Sequence, residues 1–515
     1  MVATNIPTPT DDRRLHPWSW LFAAGQAAKG FVLPAVLVLF ASGGNAYELW
    51  AAVLIVPIAA SALLQYLVFR YRLEDDELVV RDGILTRTER HIPYARIQNL
   101  DLAQNPFHRL LRVALVRVET ASGAKPEAVI RVLSLDAIDE MRSRVFAGRD
   151  GHPAGVAQRP DARDDANVFF AISASELVRL GIISNKGVVV VGATLGLFWQ
   201  RSNWFRPNQD GLLGNILDVP SGWFAGATSG STPNLVLTVL VVVVLAVGLL
   251  RVFSVAWFLV QLHGFRLQRR GDDLRAEYGL VTQMSRTIPP SRIQTLIVSE
   301  SPLHRWFRRQ SVELRMVGGG GDNLNAGGSG LDGTAPKATN QWLAPLIATR
   351  NVPALLSGVL AEIDIRNVTW NLIAPRAWRR IFRRQLLVVG CVIFPLSVLI
   401  GADALLALPP IAMLAYLHAR LWVKHAGYAL TPWGIAFKSG WWNRTIKIIR
   451  YGKIQTVVKA DSPFDRRSGM ASIRIDTAGA ERGGYTIDIP YLDRVVANEV
   501  AERLGRESQT RAFRW

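Results

Sequence analysis

Residues 96–109 read RIQNLDLAQNPFHR, and the same pattern returns as RIQTLIVSESPLHR at 292–305 and as KIQTVVKADSPFDR at 453–466. In each copy the proline follows the glutamine by eight residues, and the last arginine follows the proline by three. A glycine stands thirteen residues before the first basic residue of each copy, at Gly83, Gly279 and Gly440. Landmarks that keep an ungapped register three times indicate three copies of one domain. The repeat-defining residues are Arg96, Gln98, Pro106, Arg109, Arg292, Gln294, Pro302, Arg305, Lys453, Gln455, Pro463 and Arg466.

Each repeat is predicted to be a small β-rich domain closed by a helix, at 71–147, 263–366 and 425–507. In the first repeat, the residues at 97–102 alternate with a period near two, which is typical of a half-buried strand. The spacing of Ile138, Met141 and Val145 predicts a helix at the end of this repeat. Many short strands followed by one helix favour a strongly bent sheet capped by that helix.

Pairs of apolar stretches precede the repeats, and we assign them to helical hairpins at 18–70, 171–262 and 385–424. A spanning helix needs about 20 mostly apolar residues, and the stretch 235–260 is long enough. The alternative of buried helices in a large soluble protein fits poorly with the unbroken run VLVVVVL at 239–245. The sequence therefore predicts six spans, with an external loop at 199–233 inside the second hairpin.

Basic residues indicate the orientation of these hairpins. The short connection at 42–48 has no lysine or arginine, whereas arginines stand where the chain leaves the membrane towards each repeat, as at Arg70, Arg72 and Arg266. Cytoplasmic loops carry the excess of lysine and arginine. We therefore expect both termini and all three repeats in the cytoplasm, with the hairpins in a bacterial inner membrane.

The remaining segments are predicted to be connections. They are a cytoplasmic tail at 1–17, a polar linker at 148–170, a glycine-rich insertion at 318–340 and a basic linker at 367–384. The insertion faintly resembles a calcium-binding repeat, but that motif requires tandem copies, and 318–340 holds a single one.

Composition excludes several classes of function. The chain has 515 residues, a formal charge of +18 and a mean hydropathy of +0.18. Its single cysteine, Cys391, supports neither a disulfide framework nor a cysteine-based metal site. Histidines show no metal-ligand spacing, and no catalytic constellation recurs between the copies. We expect no cofactor, no metal and no enzymatic activity, and we assign much of the positive charge to membrane exits rather than to nucleic-acid binding.

The motifs Y-x-L at 71–73, G-I-L at 83–85, I-P-x-x-R-I-Q at 92–98 and V-x-V-E-T-A-S-G at 116–123 resemble the bacterial pleckstrin-homology-like (PH-like) domain of the membrane-flanked type. Helix pairs followed by such domains are similar to the YdbT-like family of PH-domain membrane proteins. Repeat three departs from the pattern, because Ile449-Arg450 replaces the I-P dipeptide and Trp441-Trp442 follows Gly440. The resemblance implies a multi-pass α-helical membrane protein with three cytoplasmic β-rich PH-like domains, each a bent antiparallel sheet plus a C-terminal helix. It implies no known enzymatic activity.

The recurring basic residue of each motif has two interpretations. Arg96, Arg292 and Lys453 could bind phosphate, because guanidinium groups pair bidentately with phosphate. Their recurrence in all copies, with glutamine two residues later, favours a role in maintaining the fold. The prolines and second arginines are predicted to start and orient a short helical turn.

Repeat three is the better candidate for contact with the membrane surface. Its cations and tryptophans suit an anionic headgroup layer, at about 1 kcal/mol per cation. The alternative is a solvated hairpin with one tryptophan in the core. The candidate residues are Lys438, Trp441, Trp442, Arg444 and Lys447.

Two classes of function remain open from the sequence. The favoured one is a non-enzymatic, membrane-anchored scaffold whose domains bind other proteins, each other or the lipid bilayer. The alternative is a component of transport or envelope-stress resistance, which charges inside the membrane would favour. Arg251 is the main such charge, and we expect its long side chain to reach water near the end of its span.

Overall fold

The structure is a computed structural model that describes residues 13, 64, 67–83, 87–120, 128–146, 168–184, 232–271, 273–316, 339–478 and 486–510. Two compact units are distinguished, and the smaller one consists of Ala171–Arg266 with Tyr278–Val281. Several predicted segments lie wholly or mostly outside the described residues. They are the tail 1–17 apart from Arg13, most of the hairpin 18–70, most of the linker 148–170, the loop 199–233 and most of the insertion 318–340.

The first repeat consists of two three-stranded antiparallel groups and a closing helix. Its elements are β1 (Arg70–Leu73), β2 (Glu77–Asp82), β3 (Thr88–Pro93), β4 (Ile97–Gln104), α1 (Pro106–Leu110), β5 (Val113–Thr120), β6 (Ala128–Ser134) and α2 (Leu135–Phe146). Ile138, Met141 and Val145 of α2 are buried in the same core as Leu78 and Ile92 of the first strand group. The helical spacing of these three residues therefore closes both groups over one apolar core.

The smaller unit contains a helix pair, and its helices follow strand β7 (Val168–Ala171). They are α3 (Ala174–Ile183) and α4 (Thr232–Gln261). They approach closely, since a Cβ added at Gly181 would lie 2.4 Å from Val255 Cα. Arg251 of α4 donates hydrogen bonds to the carbonyl oxygens of Ile182 at 2.7 Å and Ser184 at 2.8 Å. This guanidinium therefore satisfies carbonyls that the end of α3 leaves without helical partners.

The second repeat follows the same order of elements as the first. They are β8 (Arg266–Arg270), β9 (Asp273–Tyr278), β10 (Gln283–Ile288), β11 (Ile293–Glu300), α5 (Pro302–Trp306), β12 (Arg309–Met316), β13 (Thr339–Ala348) and α6 (Val352–Val359).

The third repeat is preceded by a short strand and two helices. The elements are β14 (Asn371–Leu372), α7 (Ala377–Ile400), α8 (Leu408–His425), β15 (Gly427–Leu430), β16 (Gly434–Ser439), β17 (Arg444–Arg450), β18 (Ile454–Ala460), α9 (Pro463–Arg467), β19 (Met470–Thr477), β20 (Ile487–Asp493) and α10 (Arg494–Thr510). The stretch 367–384, predicted as a basic linker, thus contains β14 and the start of α7.

Neighbouring repeats share β-sheets. The strands of one seven-stranded sheet lie in the order β6-β5-β4-β10-β9-β8-β7, and those of the other in the order β13-β12-β11-β17-β16-β15-β14. In each sheet the fourth strand of one repeat pairs antiparallel with the third strand of the next repeat, through β4–β10 and β11–β17. Backbone hydrogen bonds therefore join the three repeats in a row.

The helices that precede the third repeat share its core. Ala377 and Ile381 of α7 and Ala419 and Val423 of α8 belong to one buried cluster with the strands of that repeat. Arg380 of α7 also pairs with Asp465 at 3.2 Å. The third repeat and the base of the two helices therefore form a single packed body.

The prediction of a multi-pass α-helical membrane protein is wrong. The described residues form a mixed structure with several antiparallel sheets, and among them two helices are long and apolar enough to cross a membrane, Val244–Gln261 and Leu405–His425. The first apolar run of the predicted hairpin 385–424, at residues 386–400, is only the apolar half of α7, whose first half carries four arginines, at 379, 380, 383 and 384. The prediction counted both members of each apolar pair as spans, although a run well short of about 20 residues is too short to span.

Gly440 provides a test of the repeated hairpin. Gly83, Gly279 and Gly440 all have positive φ, at 111°, 114° and 85°, and a Cβ at Gly440 would lie 1.9 Å from the Asn443 carbonyl oxygen. We expect Gly440→Ala to destabilise the third repeat by at least about 1–2 kcal/mol, because an L side chain disfavours this backbone conformation. Limited proteolysis along a thermal ramp measures the loss.

The matched control is Gly505→Ala in α10, where an added Cβ meets nothing within 4 Å. This change should stabilise the helix slightly, because alanine exceeds glycine in helix propensity by about 1 kcal/mol. Equal thermal stability of the two variants would contradict the prediction.

Candidate membrane-facing site

The first half of the repeated motif forms a turn and a bulge. Arg96, Arg292 and Lys453 each end a 3-10 turn, and the following isoleucine is buried and begins a strand. In all three copies the strand register shifts across the glutamine, which is the extra residue of a β-bulge. The bulge residues are Gln98, Gln294 and Gln455.

The second half of the motif forms a short capped helix. Pro106, Pro302 and Pro463 each occupy the first position of a five-residue helix. Proline suits this position because it has no N–H that the helix would leave unpaired. A capping box precedes each proline, with Ser301 and His304 as its members in the second repeat. Burial lowers the pKa of His304 to about 4, so this imidazole is neutral at pH 7.

The second arginine of the motif has a different environment in each repeat. Arg305 donates a hydrogen bond to the Trp441 carbonyl oxygen at 3.1 Å and so links the second repeat to the third. Arg109 and Arg466 are exposed, and Arg466 lies 4.0 Å from Asp461. The motif residues thus lie in turns, bulges and contacts between repeats and are not gathered into one pocket, so we interpret them as structural.

Lys453 is the least ordinary of the motif cations, because it is buried. Burial, with a smaller contribution from the charge of Arg450, lowers its pKa to about 8. Arg96 is exposed, and Arg292 is half-buried. The same motif position therefore offers very different accessibility to a ligand in the three repeats.

Aromatic side chains lie on α7, on α8 and on the neighbouring hairpin of the third repeat. We call Trp378, Tyr416, Trp422, Trp441 and Trp442 the aromatic collar. Trp378 packs edge-on to Tyr416 with ring centroids 5.4 Å apart, and the Arg420 guanidinium lies 4.3 Å from the Trp378 ring. Tryptophan and tyrosine concentrate at membrane–water interfaces. The collar therefore gives the repeat end of the candidate span in α8 the composition of such an interface.

The two tryptophans of the predicted surface patch lie in this collar but differ in exposure. Trp441 is half-buried, and its ring lies 6.1 Å from the His418 ring of α8. The Trp442 ring packs against the Trp441 ring with centroids 5.5 Å apart, and Trp442 is 58% exposed. The hairpin between β16 and β17 therefore places one indole on the candidate span and the other towards the surroundings.

A basic cleft lies beside the collar, between the second and third repeats. It has a volume of about 290 Å³, and its lining includes Trp370, Lys424, Lys438, Arg444 and Glu300. The Lys438 ammonium lies 4.8 Å from the Trp370 ring. Burial, with a smaller effect of Arg444, lowers the pKa of Lys438. Three cations against one carboxylate make the cleft suitable for an anionic group.

Lys447 does not belong to this surface. Its ammonium donates a hydrogen bond to the Thr486 carbonyl oxygen at 2.9 Å. Burial, followed by the charge of Arg315, lowers its pKa, although Asp488 acts in the opposite direction. The alternation of side chains along β17 explains this, because Arg444 and Lys447 are separated by an odd number of positions and point to opposite faces.

Sequence reasoning missed Trp370, Trp378 and Arg420 as members of this site. The density of aromatic residues close to arginines at the ends of the apolar runs was an available signal. Among the described residues, no cluster of three or more histidine, cysteine or acidic side chains could hold a metal ion.

The depressed pKa of Lys453 predicts a pH-dependent stability. In the unfolded chain this lysine binds its proton up to about pH 10.5, whereas in the fold it releases the proton near pH 8. The unfolded state therefore binds more protons between these values, and the contribution of Lys453 to stability rises with pH across that window. We expect Lys453→Met to be more stable than the wild type at pH 7, with a difference that shrinks from pH 8 to 10.5 in thermal unfolding.

The exposed Lys459 provides the matched control. The difference in thermal stability between Lys459→Met and the wild type should stay constant over the same pH range. A Lys453→Met difference that does not vary with pH would contradict the prediction.

Comparisons with known proteins agree with the repeat architecture. The family model described as "Bacterial PH domain" matches residues 28–148, 219–339 and 385–508. The UPF0699 transmembrane protein YdbT of Bacillus subtilis (strain 168) is 21% identical over 484 residues, which cover 90% of this chain and 92% of YdbT. The UPF0699 transmembrane protein YdbS of the same organism is 25% identical over 96 residues, covering 19% of this chain and 58% of YdbS. No solved structure matches the chain.

The name of the relative and the two candidate spans together indicate a membrane-associated protein. The family model covers well over half of the chain in three separate matches. The chain therefore belongs to the bacterial PH domain family and is YdbT-like along most of its length.

Proposed function

We propose that this protein is a non-enzymatic, membrane-anchored scaffold whose three PH-like domains bind protein partners, one another or the membrane surface. The observation that carries the proposal is the row of repeats joined by β4–β10 and β11–β17, whose last member shares its core with a candidate span. Such a row presents several domain surfaces at fixed spacing beside the bilayer. PH domains commonly bind lipids or proteins, which is consistent with this role.

The membrane contact is assigned to the collar and the basic cleft of the third repeat. Trp442 is exposed next to a candidate span, where an indole favours the interface. Lys424, Lys438 and Arg444 add attraction to anionic headgroups, at about 1 kcal/mol for each cation near the surface. The recognition is of charge, and screening by salt weakens it.

We place the repeats at the cytoplasmic face of a bacterial inner membrane. Val244–Gln261 and Leu405–His425 are each followed within a few residues by a repeat. Arg266 and Arg269 follow the first of these spans, and Arg420 and Lys424 stand at the end of the second. This distribution fits the excess of positive charge on the cytoplasmic side of membrane proteins.

The absence of turnover is part of the proposal and rests on the sequence. No catalytic constellation recurs between the copies. Purified protein that hydrolysed lipid, peptide or nucleotide, and lost this activity when one polar residue was changed, would overturn it.

A role in transport or envelope-stress resistance is the alternative, and it depends on Arg251. A charge within a span usually marks a substrate pathway. Here the guanidinium donates to the Ile182 and Ser184 carbonyl oxygens at the end of α3. Because these contacts give Arg251 a structural role, we favour the scaffold.

The first prediction of the proposal is that position 442 touches the lipid interface. An isolated third repeat is a poor probe, because its core includes residues of α7 and α8. We therefore expect the full chain in nanodiscs, with Trp442→Cys carrying an environment-sensitive fluorophore in a Cys391→Ser background, to be quenched by spin-labelled lipids. Anionic lipid should increase the quenching, and high salt should reduce it.

Thr456→Cys, at an exposed position of β18, provides the matched control. Label there should be quenched much less. Equal quenching at the two positions, or quenching at 442 that ignores both lipid charge and salt, would mean that the third repeat does not use this surface on the membrane.

The cytoplasmic location of the first and third repeats can be tested with reporter fusions. Reporter fusions after Phe146 and at Trp515 should both give cytoplasmic signals, with active fluorescent protein and inactive alkaline phosphatase. Active phosphatase at either position would refute the cytoplasmic assignment of that repeat.

A further inference from the structure

The two junctions between repeats use one register. Gln104 lies opposite Gln283 in the β4–β10 pair, and Glu300 lies opposite Arg444 in the β11–β17 pair. The repeated motif places Gln104 and Glu300 at equivalent positions, and it does the same for Gln283 and Arg444. The junction is therefore a repeated structural unit and not an accident of one pair of strands.

Each junction needs a fourth strand from one repeat and a third strand from the next. In the described part of the chain, β3, the third strand of the first repeat, pairs with no fourth strand, because it is an edge of the sheet β1-β2-β3. Likewise β18, the fourth strand of the third repeat, pairs with no third strand, because it is an edge of the sheet β18-β19-β20. The row of repeats thus ends in a third-strand edge at the first repeat and a fourth-strand edge at the third. These are complementary halves of the same junction.

The exposure of the strand residues differs between the junctions and the two free edges. Gln294 and Thr295 of β11 are 6% and 1% exposed inside their junction, whereas the equivalent Gln455 and Thr456 of β18 are exposed. The first four residues of β3 are likewise exposed. Positions that are covered inside a junction are uncovered at both ends of the row.

If β18 paired with β3 in the register that the two junctions share, that register would fix which residues of the two strands face each other. Lys459 would lie opposite Glu89, at the positions of Val298 and Ile446. Asp461 would lie opposite Arg87, at the positions of Glu300 and Arg444. Both facing pairs have opposite charges, which stabilises antiparallel strands, whereas like charges in these positions would repel.

Charged residues also protect edge strands from unwanted pairing, which is the competing explanation for Glu89 and Lys459. In the β11–β17 junction, β17 contains Arg444 and Lys447 and is nevertheless paired continuously from Arg444 to Ile449. Arg450 even strengthens it by donating to the Pro290 and Ile293 carbonyl oxygens at 3.0 and 3.2 Å. Charge on these strands is therefore compatible with the junction.

We propose that copies of this protein associate head to tail, with β18 of one copy paired antiparallel to β3 of a second copy so that Lys459 faces Glu89. The proposal deepens the proposed scaffold, on which it rests for the setting at a membrane, by making a second copy the partner. A head-to-tail contact uses different surfaces on the two copies, so it generates closed rings or open filaments.

Disulfide cross-linking in native membranes tests this register. Two tagged forms of the full chain, both Cys391→Ser, carry Lys459→Cys in one and Glu89→Cys in the other. Facing residues of antiparallel strands have Cα atoms about 4.5–5.5 Å apart, within the range that a disulfide bridges. Mild oxidation should therefore join the two forms, and a chain with both substitutions should give a ladder of multimers.

Two variants control the geometry. Val298→Cys with Ile446→Cys, which face each other within one chain, should form an internal disulfide and no dimer. Lys459→Cys with Arg90→Cys should cross-link poorly, because neighbouring residues of a strand point to opposite faces. Arg87→Asp should lower the yield of the 459–89 product about fivefold, and Asp461→Arg in the other form should restore it.

An internal 298–446 disulfide without any 459–89 product would overturn the proposal, and so would equal yields from Glu89→Cys and Arg90→Cys. A 459–89 bridge within one chain would mean that the row closes on itself, and a bridge to a different protein would assign the edges to another partner. Both results count against a second copy. If lipid quenching at position 442 persists in these cases, the proposed membrane contact is supported although the proposed self-association is refuted.

Discussion

Backbone pairing between repeats is the constraint on which the rest of this structure depends. The pairs β4–β10 and β11–β17 convert three small domains into a row with fixed spacing. They bury strand positions such as Thr295 that would otherwise be exposed, and they bring Arg305 to the Trp441 carbonyl oxygen. In the basic cleft, Glu300 of the second repeat and Arg444 of the third lie together because these repeats are held edge to edge.

The interior of each repeat was predictable from the sequence because its determinants are local. A glycine with positive φ, a proline at the first position of a helix and an isoleucine before a bulge each leave a residue signature. The pairing between repeats leaves none, since it is made by main-chain groups. Gln104 faces Gln283 in one junction, and Glu300 faces Arg444 in the other. The facing residues therefore follow no common pattern from which the pairing could be predicted.

The candidate site was predictable only in part, for the same reason. Composition marked the hairpin of the third repeat, but the faces of its strands were not assigned, and Lys447 lies on the opposite side from Arg444. The multi-pass prediction failed because apolar residues were counted without the arginines beside them. Arg380 and the arginines near it belong to the same helix as the apolar run, and Arg380 itself binds the third repeat through Asp465.

The shared core of α7, α8 and the third repeat has a mechanical consequence. A helix adapts to a thicker or thinner bilayer by tilting, and a flexible connection would absorb that tilt before it reached a soluble domain. Here Ile381 and Val423 pack directly among the strands of the repeat, so rotation of the helices must turn the repeat as well. Because β17 is bonded to β11, the same lever acts on the second repeat. If α8 spans the bilayer as proposed, a change in bilayer thickness that tilts this helix would therefore act on the third and second repeats together.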